Sequence, residues 1–152
     1  MAFHFPLEGV LHFRRSLEHQ QELRLRAAHQ QVARVRHAIE QVEHQIKETQ
    51  TQQSRQLGAG TTAAELRFAL LCEATLHGQR QELLRDLLRA QAVRDQQQKL
   101  FQKARRERET FESLRDRQLR EYQRDAARRE QRQLDELFLA RQAYLRRGQK
   151  LP

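Results

Sequence analysis

Residues 25–49, LRAAHQQVARVRHAIEQVEHQIKET, decide the fold: Leu25, Ala28, Val32, Val35, Ile39, Val42, Ile46 and Thr49 alternate spacings of three and four without a miss. Apolar residues at that period form a single stripe along an α-helix, and a stripe sustained over several heptads is a coiled-coil seam that needs a partner helix. The partner lies later in the same chain. Leu66, Leu70, Leu76, Leu83, Leu87, Ala90, Phe101, Ala104, Phe111 and Leu114 form a second stripe, interrupted by Glu73, Arg80, Arg94 and Gln97.

Helix breakers say where the stripes are joined. No Gly or Pro occurs between Val10 and Leu57, and only Gly78 intervenes between Thr61 and Arg147, so Leu57-Gly58-Ala59-Gly60-Thr61 is the turn. Pro6 suits the first turn of the opening helix, with Glu8 behind it to complement the dipole, and Thr62-Ala63-Ala64-Glu65 has the spacing of a capping box. The expected fold is all-α, one coiled-coil unit over residues 1–152: a helix over about 6–57, a turn at 58–61 and a helix over about 62–147. The two helices form an antiparallel hairpin. A turn centred near Ala59 sets Val32 opposite Leu87, Val35 opposite Leu84 and Val42 opposite Leu76 or His77. The first helix, about 75 Å long at 1.5 Å per residue, is outrun by the second by about 30 residues. The C-terminal helix therefore overhangs.

Composition excludes most enzyme classes. The 152 residues are 38% hydrophobic and 32% charged, too polar for a thick core and suited to long, solvent-washed helices. Two open helices offer no enclosed site that could drive carboxylate pKa values apart, and no phosphate-binding Gly-rich loop or nucleophile motif occurs. No enzymatic activity and no cofactor are expected. Of the seven histidines, His12 and His19, or His37 and His44, stand seven apart, about 10 Å along a helix, so no chelating pair forms and no metal is expected. His29, His37 and His44 fall outside the seam. Cys72, the single thiol, has no imidazole at neighbouring helical positions and reads as a small packing residue in a reduced, cytoplasmic setting. No apolar run approaches the ~20 residues that span a bilayer, and the N-terminus lacks the pattern of a secretory signal.

Charge is uneven. Residues 1–101 hold 14 basic and 11 acidic residues, net +3, and residues 102–152 hold 15 and 9, net +6. Arg117, Arg120, Arg124, Arg128 and Arg132 recur at three or four, a guanidinium stripe suited to carboxylate or phosphate; with Glu121, Asp125 and Glu130 beside them, a solvated face is the commoner reading of such a run. Beyond them Leu134, Leu137 or Phe138, Arg141 and Tyr144 or Leu145 form an apolar face with no intramolecular helix left to cover it. Such a face docks a partner, pairs two chains, or receives the N-terminal segment carrying Phe3 and Phe5. The net charge of +9 also admits a nucleic-acid-binding coiled coil, although acidic residues punctuate every basic run and only Phe111 and Tyr122 offer stacking there, so nucleic acid is the weaker reading. A generic scaffold requires only the heptads.

Three features together carry a resemblance: Phe3-His4-Phe5-Pro6-Leu7-Glu8-Gly9-Val10-Leu11-His12-Phe13-Arg14-Arg15 at the start, the turn near Gly58, and Glu130-Gln131-Arg132-Gln133-Leu134-Asp135-Glu136-Leu137 near the end. Over its whole length the chain resembles the FliJ family of flagellar type III export proteins, and it is similar to the stalk proteins of virulence type III secretion systems. The resemblance implies a hairpin akin to a rotary-ATPase γ subunit that inserts into the ring of the export ATPase FliI and stimulates it, contacts the export-gate protein FlhA, and has an export-chaperone role with export cargo chaperones among its partners. It implies a place at the cytoplasmic face of the inner membrane, at the flagellar base, in motility and chemotaxis. ATPase binding is expected at Arg117, Arg120, Arg124, Arg128, Arg132, Leu134, Asp135, Glu136, Leu137, Phe138 and Tyr144. Carrying the family's gate-binding patch over without gaps places it at Val42, Gln45, Thr49, Cys72, Leu76, Gln79 and Leu83. Here the chain departs from the family: Gln45, Thr49 and Cys72 stand where some members carry aromatic residues, and Val42, Leu76 and Leu83 are also seam positions.

Overall fold

A computed structural model describes residues 2–148. Two α-helices account for nearly all of them: α1, Glu8–Ala59, and α2, Ala63–Gly148, packed antiparallel as a hairpin. No strand occurs among the described residues.

Both helix starts follow from local chemistry. Pro6 lies in the turn just ahead of α1, where the Glu8 amide donates to the Phe5 carbonyl at 3.2 Å, so the helix opens two residues later than its proline suggests. At α2 the capping box closes reciprocally: the Glu65 amide donates to the Thr62 hydroxyl at 3.3 Å and the Thr62 amide to the Glu65 carboxylate at 2.9 Å. The Thr61 hydroxyl adds a third bond to the same carboxylate at 2.8 Å. Hydrogen bonds from the Thr62 backbone, then Thr61, then the Thr62 hydroxyl hold the Glu65 pKa below its ordinary value. Among the described residues only Gly60 takes a left-handed backbone, φ +86°, so helix α1 runs through Gly58 and Ala59 and the reversal centres on Thr61.

That shift moves the register. Gln50 donates to Glu73 and Arg80 to Glu43, pairs whose numbers both total 123, so the expected pairings of Val32 with Leu87, Val35 with Leu84 and Val42 with Leu76 move by about one helical turn. The turn residue with positive φ, not the first glycine, sets the register.

Two compact units share the helices. One is Ser16–Arg105, which contains the turn. Its α1 seam is as expected, with Ala28, Val32, Val35, Ile39 and Ile46 buried and Leu25, Val42 and Thr49 half-buried. On α2 the seam runs through Leu66, Ala69, Leu76, Leu83, Leu87 and Ala90, and Arg80, Arg94 and Gln97 sit half-buried within it. Leu70 does not belong to it: 53% of Leu70 is exposed, and the small Ala69 takes the inward position.

The other unit comprises residues up to Arg15 together with those from Arg106 onward. It holds Leu11, which is 0% exposed and is the one large side chain fully buried among the described residues, beside the buried Phe5. Ion pairs join its two segments: Arg14 to Glu107 at 2.5 Å, Arg15 to Glu112 at 3.0 Å and Arg115 to Glu8 at 3.1 Å. The Arg14 guanidinium also lies over the Phe111 ring, 5.9 Å from its centroid.

Candidate functional site

The seam position Ala126 is the last half-buried residue of α2, and every residue from Ala127 to Gly148 is exposed. Phe3 explains where cover ends, because its ring meets Tyr122 with centroids 5.7 Å apart and interplanar angle 53°. The N-terminal segment thus packs at Tyr122 and leaves the Leu134–Tyr144 face bare. Back-packing of Phe3 and Phe5 occurs, but it covers a different part of α2 from that face.

All of the residues expected to bind the ATPase are exposed: Arg117, Arg120, Arg124, Arg128, Arg132, Leu134, Asp135, Glu136, Leu137, Phe138 and Tyr144. At 100° per residue, Leu134, Leu137, Phe138, Tyr144 and Leu145 fall within an arc of about 120°. Leu137 is 68% and Phe138 60% exposed, an unusual amount of large apolar surface on one helix face. Arg141 projects from the middle of that arc. Residues 127–148 carry six arginines against Glu130, Asp135 and Glu136, net +3.

The arginine stripe is only weakly neutralised. Arg128 reaches Asp125 at 3.9 Å, Arg120 turns its Nε to the Asp116 carbonyl, and Arg129 turns its own to the Asp125 carbonyl. Tyr122, Asp125, Arg128, Arg129 and Arg132 line a shallow groove there. Exposed guanidiniums along an open groove present an electropositive docking face with a fixed spacing of about one helical turn.

The residues carried over as a gate-binding patch separate into two groups. Val42, Leu76 and Leu83 are half-buried seam residues, whereas Gln45 and Gln79 are exposed. Thr49 and Cys72 line a groove near the turn with Gln52, Gln53, Gln56, Glu65, Ala69 and Phe68. Phe68, 69% exposed, is the residue the sequence reading passed over. Its signal was available: it stands four before Cys72, on the same face, in a position the seam does not use. Glu73 ties this end together, with a pKa held below its ordinary value by the hydrogen bond from Gln50, against the opposing effect of burial, and then by His77.

His37 and His44 are exposed and face Glu40 and Glu48 on their own helix. No group of three or more His, Cys, Asp or Glu residues able to hold a metal ion occurs among the described residues. No helix among them is long and apolar enough to cross a membrane.

No curated protein sequence matches the chain. Among solved structures, a protein described as a YscO homolog, CT670 from Chlamydia trachomatis, is similar in fold: TM-score 0.60, 17% identity, covering 99% of this chain and 100% of that one. The model of a protein family described as "Flagellar FliJ protein" matches residues 3–149. A match over nearly the whole length places this two-helix hairpin, with its free C-terminal helix, in the FliJ family.

Proposed function

We propose that this FliJ-family protein works in type III export as a non-enzymatic stalk: its free C-terminal helix inserts into the ring of the export ATPase FliI and stimulates hydrolysis, and its turn end contacts the export gate FlhA. The observation carrying the reading is the uninterrupted exposure of Ala127–Gly148 with an apolar arc and an arginine stripe. A helix that presents large apolar side chains and charge to solvent binds in a partner's groove or channel. The groove of Thr49, Phe68 and Cys72 supplies the aromatic and small-residue surface for the gate, and export cargo chaperones would meet the complex at the cytoplasmic face of the inner membrane, at the flagellar base.

The experiment is ATP hydrolysis by the cognate export ATPase, titrated with the full chain and with a chain ending after Ala127. The cut preserves Tyr122 and Ala126, so the Phe3 contact stays intact. Stimulation by the full chain and its loss on truncation is the expected result. No stimulation by the full chain sinks the reading. Stimulation only of a virulence-system ATPase reassigns the stalk to that system.

A further inference from the structure

Helix α2 carries a second stripe, apolar at its two ends and polar at its middle, that lies outside the hairpin seam. Leu70, Ala74, His77, Gln81, Leu84 and Leu88 follow spacings of four and three, the same heptad rhythm as the seam but rotated from it by about 100°. Leu88 is 68% exposed, Leu70 is 53% exposed, Ala74, His77 and Gln81 are exposed, and only Leu84 is half-buried. This stripe is why the second-helix pattern breaks register when read as one seam: Leu70 belongs to the lateral face.

The stripe is self-complementary. Turned antiparallel against a copy of itself, Leu70 meets Leu88, Ala74 meets Leu84 and His77 meets Gln81, each pair joining an a position to a d position as antiparallel coiled coils require. Large residues oppose large at the ends and a small residue opposes Leu84, so the layers fill without clash. Gly78 sits beside the two-fold axis, and a Cβ there would meet nothing within 4 Å, so the backbones are free to approach.

Charge favours the same pairing. The chain is +9 overall, which opposes self-association, yet residues 63–92 hold Arg67, Arg80, Arg85 and Arg89 against Glu65, Glu73, Glu82 and Asp86, net zero. Three of those arginines are already paired: Arg80 with Glu43 at 2.9 Å, Arg85 with Glu82 at 3.7 Å and Arg89 with Asp86 at 3.3 Å. The stripe therefore lies in an electroneutral window. By contrast the C-terminal apolar face carries net +3 and would repel its copy.

We infer that a second copy of this chain docks on the Leu70–Leu88 face of α2, antiparallel and two-fold symmetric, giving a weak dimer before export partners are engaged. The stripe is about 27 Å long and buries on the order of 500 Å² per partner, at the low end for specific interfaces, so the dimer is weak and reversible.

Sedimentation of the full chain in reducing buffer, from low micromolar to several hundred micromolar, tests it. The mass should rise toward twice that of the monomer, and the double variant Leu70→Gln/Leu88→Gln should weaken association roughly tenfold or more. Both leucines are exposed, so unchanged helix content accompanies the loss. The double variant Leu137→Gln/Phe138→Gln should leave association unchanged. A position-specific check uses Cys72→Ser chains carrying His77→Cys or Gln81→Cys: the mixture should form disulfide-linked dimers faster than either alone. A monomer at every concentration overturns the inference. So does a dimer lost through the Leu137/Phe138 pair and kept without Leu70 and Leu88, which assigns self-association to the C-terminal face.

Discussion

Phe3 packs on Tyr122, ring centroids 5.7 Å apart, and so joins the N-terminal segment to α2 across 118 intervening residues. The contact marks the boundary between the covered and the bare part of the long helix. Removing it should release the segment ahead of α1 without touching the seam near the turn. We predict that Tyr122→Ala raises amide exchange and tryptic cleavage around Arg14 and Arg15 several-fold while protection at Val32–Ile46 is retained. Equal loss of protection at both places would show that the contact supports the entire hairpin.

Glu112 is held between Arg15 at 3.0 Å and Arg108 at 2.5 Å. Burial acts to raise its pKa, but the hydrogen bonds and charges of Arg108 and Arg15 outweigh it and leave the pKa below its ordinary value. A carboxylate depressed in the folded state stabilises it at pH above the unfolded value, and that stabilisation is lost as pH falls through the folded value. With 48% of the Arg15 and 32% of the Glu112 side chain exposed, that pair is worth no more than ~1 kcal/mol. Glu112→Gln should therefore lower the urea midpoint slightly at neutral pH and at low salt, and leave it unchanged in acid. A deficit that persists in acid would mean the side chain acts through packing.

Leu11 and Leu70 separate the two apolar patterns. Leu11 is 0% exposed and Leu70 53%. Leu11→Ala should cost ~2–4 kcal/mol in unfolding free energy, whereas Leu70→Ala should stay within ~0.5 kcal/mol under dilute conditions. Chemical denaturation of the two variants checks the register directly, since a seam passing through Leu70 would make the costs comparable.

The periodicity of α1 was fully readable because its lateral positions are polar: Arg34, Arg36, Glu40 and Lys47 leave one apolar stripe and no competitor. Helix α2 was readable as a helix but not as a register. Leucines at 70, 71, 84 and 88 stand outside the seam while small or polar residues face inward at Ala69, Arg80, Arg94 and Gln97, so hydrophobicity alone drew the stripe through the wrong leucine. The capping box at Thr62–Glu65 was legible because its chemistry is local. The offset of the turn was not, since Gly58 and Gly60 are equal as letters and only the second adopts positive φ. The free helix was visible from the length mismatch; that Phe3 stops at Tyr122 depends on where an aromatic ring finds a partner across the chain, which spacing does not encode.

Thr62 caps α2 with both its amide and its hydroxyl committed to Glu65. Thr62→Ala removes the bond to the Glu65 amide and should cost ~1 kcal/mol. The loss should be local, appearing as faster exchange in the first turn of α2 and around Phe68, with the Leu11 end unaffected. If gate contact uses the groove of Thr49, Phe68 and Cys72, affinity for the gate should fall in the same variant while ATPase stimulation holds.

The bare helix offers two separable forces, and their difference under salt tells which one drives docking. Arg124 and Arg128 contribute charge, screened over about 10 Å at 0.1 M salt, whereas Leu137 and Phe138 contribute apolar area that salt does not weaken. Arg124→Gln/Arg128→Gln should reduce affinity for the ATPase at low ionic strength and converge with the unaltered chain as salt rises. Leu137→Gln/Phe138→Gln should reduce it by one to two orders of magnitude at every ionic strength, consistent with burial of both side chains in a partner. Because all four residues are exposed, neither variant should shift thermal unfolding. A loss confined to low salt in both variants would make the helix an electrostatic guide that never seats its apolar arc, and stimulation would then have to arise elsewhere on the hairpin.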